Sequence, residues 1–309
     1  FLDETASICP SCSNGCNIMI SAYKNRIWRL TPRRNDAVND TWMCDAGRLN
    51  YRYVTDPERL RAPLVDGAPA TWNEALDRAG AALTDFRQGH GGGALGALVS
   101  PHLTNEENFR FGELMRALEA GHLAMAVKHG KADDFLIKAE KAANARGVRE
   151  LKLVSGADDG LEALLAAIEN GAVKGLYLCG DDLLETVPTA RLDRIFGRLE
   201  LLIVQALQPS DRFARANVVF PSTTFAEKEG TFTNHAGRVQ RIRKALDTPA
   251  GWLSDGEIFT YLLNAVAARG ESFTIDGVWD GMGRERTVFA ALNLDEIGPR
   301  GLPLAAAAK

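Results

Sequence analysis

The sequence has no apolar run approaching the ~20 residues that a membrane-spanning helix requires. Residues 1–16 lack the charged-then-apolar layout of a secretory signal. There is no surplus of positive charge: 36 Lys and Arg stand against 40 Asp and Glu, for a net charge of −4. A chain without a basic field does not gather phosphates, so nucleic acid is excluded as an expected partner. The basic group Arg29, Arg33 and Arg34 is local and reads as a solvated loop face. The five histidines are scattered without ligand spacing, and neither a Ser-His-Asp set nor a paired-carboxylate arrangement can be assembled. Gly91-Gly-Gly93 precedes an apolar run instead of following one, so it is not a dinucleotide loop. Internal repeats are absent. Hydrophobic residues at 46% and charged residues at 25% are the balance of a folded, water-soluble chain. At roughly 150 residues per domain, 309 residues correspond to about two domains.

Periodicity divides the chain. Residues 17–23 and 26–31 are β-type runs joined by Lys24-Asn25, a tight hairpin turn. Residues 53–70 lose the pattern in a Pro- and charge-containing connector. Thr71-Trp-Asn-Glu74 is a capping box, and Ala75, Leu76, Ala79, Ala82, Leu83 and Phe86 behind it follow the 3.6-residue period. Strands are then expected at 94–100, 175–180, 201–206 and 217–220, with helices at 105–118, 161–170 and 190–199 between them. That alternation is a doubly wound α/β pattern. Ser254-Asp-Gly-Glu257 caps a further helix. Residues 270–300 look irregular, and residues 302–309 read as a weakly ordered tail.

Cysteine is scarce but unevenly placed: four of the five lie in the first 44 residues. An odd count crowded at one end reads as a metal site in a reducing compartment, not as a disulfide framework. Cys9, Cys12 and Cys16 have the spacing Cys-x2-Cys-x3-Cys, and Cys44 follows after 27 intervening residues. Three thiolates on one loop and a fourth on a returning segment suit the faces of one [4Fe-4S] cube. Gly15 and Gly47 allow close backbone approach to it. A four-cysteine zinc site is the alternative, but it typically takes two Cys-x2-Cys knuckles, and there is one here. Cys179 follows an apolar run and reads as an ordinary buried strand-end cysteine. Asp181-Asp182 reads as a loop cap. The chain starts at Phe1 and reaches Cys9 at once, which reads as a portion of a longer polypeptide.

Three segments carry a resemblance: Ile8-Cys-Pro-Ser-Cys-Ser-Asn-Gly-Cys16, Arg29-Leu-Thr-Pro-Arg-Arg-Asn35 and Trp42-Met-Cys-Asp-Ala-Gly-Arg-Leu-Asn-Tyr51. They resemble the [4Fe-4S] domain of molybdopterin oxidoreductases, most closely the form found in the G subunit of NADH-quinone oxidoreductase, respiratory complex I. The similarity resumes at Asn144-Ala-Arg-Gly147 and Ala214-Arg-Ala-Asn-Val-Val-Phe-Pro221, and is clearest in Glu227-Lys-Glu-Gly-Thr-Phe-Thr-Asn-His-Ala-Gly-Arg-Val-Gln240. It implies an α/β fold class, with a small β-rich [4Fe-4S] domain over residues 1–55, a doubly wound molybdopterin-oxidoreductase-like α/β domain over 56–269 and an irregular extension over 270–309. The ligands it implies are Cys9, Cys12, Cys16 and Cys44. The molybdenum enzymes of the superfamily place a bridging lysine where this chain has Ala46, and they carry a metal-ligating side chain whose loop Cys179 does not resemble. The resemblance therefore argues against a bound molybdopterin. It implies an electron-transfer or cluster-bearing part of a cytoplasmic complex at the inner membrane, among other subunits of a peripheral arm and without direct membrane insertion. A formate dehydrogenase-like pterin oxidoreductase core and a non-catalytic metal-stabilised scaffold are the alternatives. Residues 230–240 would sit near the pterin in the active enzymes, and here read as a turn kept for packing.

Overall fold

The computed structural model describes residues 1–285 and 287–304. The chain opens with a three-stranded antiparallel sheet of β1 (Asp3–Ile8), β2 (Asn17–Tyr23) and β3 (Arg26–Pro32). The hairpin turn falls on Lys24 and Asn25, both with positive φ, as a two-residue turn of primed type demands. The first strand has no counterpart in the sequence pattern: Asp3–Ile8 pairs in register with Asn17–Tyr23, and that pairing places Cys9 and Cys16 side by side where the two strands end. A short helix α1 (Asp45–Leu49) returns toward the same place, with Cys44 as its N-cap.

The remainder is built on a seven-stranded sheet. Its strands are β4 (Leu64–Val65), β5 (Ala68–Pro69), β6 (Leu95–Val99), β7 (His122–Met125), β8 (Gly175–Cys179), β9 (Leu201–Ala206) and β10 (Val218–Pro221), in the order β5-β4-β10-β9-β8-β6-β7. The five from β10 to β7 run parallel. Side chains alternate across them, so each strand feeds two cores. Ala97, Tyr177 and Ile203 pack with α2 (Trp72–His90) and α3 (Asn105–Ala117) on one face. Leu98, Leu178 and Val204 pack with α5 (Leu161–Glu169) and α7 (Thr189–Phe196) on the other. Both faces are covered, which is why these strands read as continuous apolar runs. Short helices α4 (Ala145–Glu150) and α6 (Asp182–Thr186) lie in the crossovers, and α8 (Asp255–Ala267) lies beside α2 and α3. The helix at Thr71 starts on the full capping box read from sequence, and so does α8 at Ser254.

Two further regions differ from the expectation. The connector at 53–70 supplies β4 and β5, whose turn at Asp66-Gly67 has positive φ, and β4 extends the large sheet antiparallel to β10. Beyond residue 270 the chain is not irregular: α9 (Ile275–Glu285) buries Val278, Trp279 and Met282, and α10 (Thr287–Ala290) buries Phe289. Glycines 277, 281 and 283 hide this helix from propensity, and burial against the core outweighs about 1 kcal/mol for each of them. A third sheet joins β11 (Gly230–Thr233), β12 (Arg238–Ile242) and β13 (Leu302–Pro303). The start of the expected tail is thus a paired strand, and residues 305–309 lie outside the described ones.

Candidate functional site

The cysteine loop occupies residues 9–16, between β1 and β2. Cys9, Cys12 and Cys16 are buried and Cys44 is partly so. The Cys9 N–H donates to the Cys16 carbonyl at 2.8 Å, closing the loop. Gly47, in α1, faces two of the sulfurs: a Cβ there would stand 3.0 Å from Cys9 Sγ and 3.5 Å from Cys44 Sγ. Hydrogen-bond donors address the sulfurs. Asn14 Nδ2 donates to Cys16 Sγ at 3.2 Å and the Gly47 amide to Cys44 Sγ at 3.3 Å. Burial pushes the Cys9 thiol up to about 11, opposed by hydrogen bonds from Ser11, and Cys16 up to about 12, opposed by the Asn14 amide. Held as bare thiols these groups stay protonated; thiolates in so dry a place would need the positive charge of a metal centre beside them. Among the described residues, no three His, Cys, Asp or Glu side chains are gathered at the spacing of a single metal ion.

The motif at 227–240 connects this loop to the α/β unit residue by residue. Glu227 pairs with buried Arg59 at 3.0 Å. Lys228 is buried and donates to Glu107 at 2.8 Å and to Asp255 at 3.1 Å. Thr231 donates through its amide and hydroxyl to Glu106 at 2.9 and 2.8 Å. The Thr233 amide donates to Asn144 Oδ1 at 2.7 Å. At the hairpin end, Asn234 Nδ2 donates to the Asn14 carbonyl, the His235 amide to the Ser13 carbonyl and Gln240 Nε2 to the Gly15 carbonyl. Phe232 and Ile242 enter one core with Ile8, Ile18, Ile20 and Leu30.

A cavity of about 390 Å³ lies between the cysteine loop and the carboxyl ends of the parallel strands. Pro10, Ser11 and Ala46 form one wall, and Ser100, Cys179, Gln205 and Ser222 the other. The chain leaves β6 for β7 on one side and returns to β8 on the other, so this is the switch point where open α/β sheets place their ligands. Its floor is the Lys228, Glu107 and Asp255 network, in which Asp255 also accepts from Gln205, Ser222 and Thr223. Burial alone would raise Asp255, but Lys228 and these donors hold it below the usual carboxylate range. Asp181 does not cap the helix that follows it. Burial, then the neighbouring Asp182 carboxylate, pushes it up to about 7. Asp181 Oδ1 and Asp182 Oδ2 are buried without a hydrogen-bond partner. Cys179 is buried as expected, its thiol raised well above the ordinary value by burial and by the Asp255 and Glu107 carboxylates.

Of the remaining residues singled out from sequence, His102 lines the cavity and faces Asp182 at 3.3 Å, and the others are dispersed. His90 faces Glu200 at 3.0 Å. The Arg29 to Arg34 group splits: Arg29 pairs with Glu4 and Arg34 with Asp36 on the surface, while Arg33 donates to the Pro299 carbonyl and to Asn17. Sequence reasoning does not reach Asn14, Gln240 or the Lys228 network. Only the Gly-Thr-Phe-Thr-Asn stretch signals that region, without its partners.

Comparison with known proteins agrees with this geometry. Residues 2–56 match the molybdopterin oxidoreductase Fe4S4 domain, and residues 120–265 match the molybdopterin oxidoreductase domain. The chain is 33% identical over 161 residues to the NADPH-Fe(3+) oxidoreductase alpha subunit of Geobacter sulfurreducens, covering 52% of this chain and 18% of that protein. It is 32% identical over 143 residues to the G subunit of the NADH-quinone oxidoreductase of Streptomyces coelicolor, covering 44% of this chain and 16% of the relative. The matched segment thus spans less than a fifth of either relative's length. The acetylene hydratase from Pelobacter acetylenicus superposes with a TM-score of 0.69 over 97% of this chain and 74% of its own, at 8% identity, and shows the same fold. The chain belongs to the molybdopterin oxidoreductase family and carries that family's Fe4S4 domain at its start.

Proposed function

We propose that this chain is the cluster-bearing part of an NADH-quinone oxidoreductase component of the G type, in which Cys9, Cys12, Cys16 and Cys44 hold one [4Fe-4S] cluster and the molybdenum chemistry has been lost. The observation that carries this reading is the cradle: a Cβ at Gly47 would crowd Cys9 Sγ at 3.0 Å, and the Asn14 and Gly47 N–H groups aim at cysteine sulfur. Such donors stabilise negative sulfur. When bound, the cluster supplies one-electron storage and transfer. The chain's own residues fix its surroundings: Ile8, Ile18, Leu30 and Phe232 exclude water, and Asn14 and Gly47 present hydrogen to sulfur. Residues 1–55 would carry the cluster, residues 56–269 the frame that shields it, and residues 270–309 a further extension.

The cavity is poorly furnished for an anionic pterin. Ala46 stands in the wall nearest the cluster loop and offers no cation. Of the lysines that line the cavity, Lys228 is already bound by two carboxylates, Lys128 pairs with Glu185, and Lys141 donates to the Lys131 and Lys138 carbonyls. Asp181 and Asp182 turn unpartnered oxygens inward, where an anion would be repelled. The other subunits of a peripheral arm at the cytoplasmic side of the inner membrane are the partners this reading requires. Among the described residues no helix is long and apolar enough to cross a membrane.

Metal analysis of anaerobically purified protein tests both parts. About four iron per chain and no molybdenum or tungsten are expected. Stoichiometric molybdenum with extractable pterin would establish a pterin oxidoreductase core instead. Cys12→Ser is expected to abolish the brown absorbance and most of the iron, and full iron retention in that variant would remove the ligand assignment.

A further inference from the structure

We propose that the β11–β12 hairpin is a clamp on the cysteine loop that fixes the Asn14 amide against Cys16, so that Asn14 sets the reduction potential of the cluster and Gln240 positions it. The inference rests on the four cysteines holding that cluster, and it concerns the motif at 227–240, whose purpose the fold alone does not explain.

Every carbonyl from residue 12 to residue 16 is engaged. The Cys12 carbonyl accepts from the Gly15 amide at 3.1 Å and the Cys16 carbonyl from the Cys9 amide at 2.8 Å. The three between them are taken by the hairpin: Ser13 by the His235 amide at 2.8 Å, Asn14 by Asn234 Nδ2 at 3.0 Å and Gly15 by Gln240 Nε2 at 3.0 Å. Gly15 holds φ at +62°, and a Cβ on it would meet Gln240 Oε1 at 3.1 Å and Asn234 Cβ at 3.2 Å, so the hairpin is seated directly on the loop. With these carbonyl dipoles bound elsewhere, the group that the loop presents to Cys16 is the Asn14 side-chain amide, at 3.2 Å from its sulfur. Reduction adds negative charge to the sulfurs, so a fixed N–H donor stabilises the reduced state more than the oxidised one and raises the potential. Asn14 is buried, so water does not replace the lost donor when the amide is removed.

The test is a redox titration of the full chain followed by electron paramagnetic resonance, with iron content and melting temperature measured alongside. Asn14→Leu keeps the branched heavy-atom outline and removes the donor. It is expected to lower the midpoint by roughly 59 mV, a tenfold change in the oxidised-to-reduced ratio of a one-electron couple. Gln240→Leu, which touches no sulfur, is expected to shift the midpoint in the same direction by less. A purely structural role would change melting temperature or iron content and leave the midpoint of the loaded fraction where it was. A second measurement needs no substitution: in reduced wild-type protein labelled with ¹⁵N-asparagine, electron-nuclear double resonance is expected to show coupling to a side-chain nitrogen. An unmoved midpoint in fully loaded Asn14→Leu, or absence of that coupling, overturns the proposal. Wild-type protein that holds no iron would overturn the reading beneath it, a distinct result.

Discussion

Lys228 is buried between Glu107 and Asp255, and no part of the chain near it in sequence supplies either partner. Removing its charge as Lys228→Met leaves two carboxylates in a dry site. The expected cost is about 3–5 kcal/mol in urea unfolding, as for other broken buried pairs. By contrast, Arg29→Ala removes a surface pair with Glu4 and is expected to cost no more than ~1 kcal/mol. If the two variants unfold at the same urea concentration, the network has no special weight. Glu106 gives a pH signature. Burial lifts its carboxyl to about 7, against donation from the Thr231 amide and hydroxyl. A raised folded-state value means that the folded protein binds the proton more tightly than the unfolded chain does. The associated stability is complete below the ordinary carboxylate value near 4.5 and is lost as pH rises through about 7. Glu106→Gln is therefore expected to flatten the decline in stability between pH 5 and 7, measured by chemical denaturation at each pH; an unchanged slope would assign the decline to other groups.

At the scale of elements, local signals are legible where a single segment contains them. Thr71 with Glu74 and Ser254 with Glu257 form reciprocal capping boxes, visible in sequence as a hydroxyl and a carboxylate three residues apart. The same device at Thr104 and Glu107 opens α3 at Asn105, where the sequence pattern begins the helix, and Glu107 there also accepts from Lys228. Thr71→Ala is expected to cost about 1 kcal/mol, seen as a lowered melting temperature. A neutral result would mean that α2 is held by its buried face alone. The strand β1 is hidden since Asp3, Glu4 and Thr5 are polar, and its pairing to β2 is what makes it a strand. Helix α9 is hidden because its glycines disguise the stripe Val278, Trp279 and Met282.

At the scale of the whole molecule, the cysteine-bearing sheet does not own its core. Ile8, Ile18, Ile20 and Leu30 pack with Leu136, Ala143, Phe225, Phe232 and Leu246. A chain cut after residue 56 would expose that face and lose the hairpin that binds its loop. Residues 1–56 expressed alone are expected to lack a cooperative thermal transition and to hold substoichiometric iron; a stable, brown fragment would show that the small sheet is self-sufficient. The cavity at the switch point likewise exists only because the two parts meet, with Ala46 on one side and Gln205 on the other.

The sequence by itself determined the cysteine spacing, the alternation of buried strands and amphipathic helices, and most of the caps. Each of these depends on residues a few positions apart, where backbone geometry fixes which side chains can meet. Only the tertiary structure decided that the polar residues of the 227–240 motif reach Asn14, Glu106, Glu107 and Arg59. Those bonds close over more than 100 positions of chain, and a donor whose partner lies that far away leaves no local pattern, because its orientation is set by the packing of the elements between.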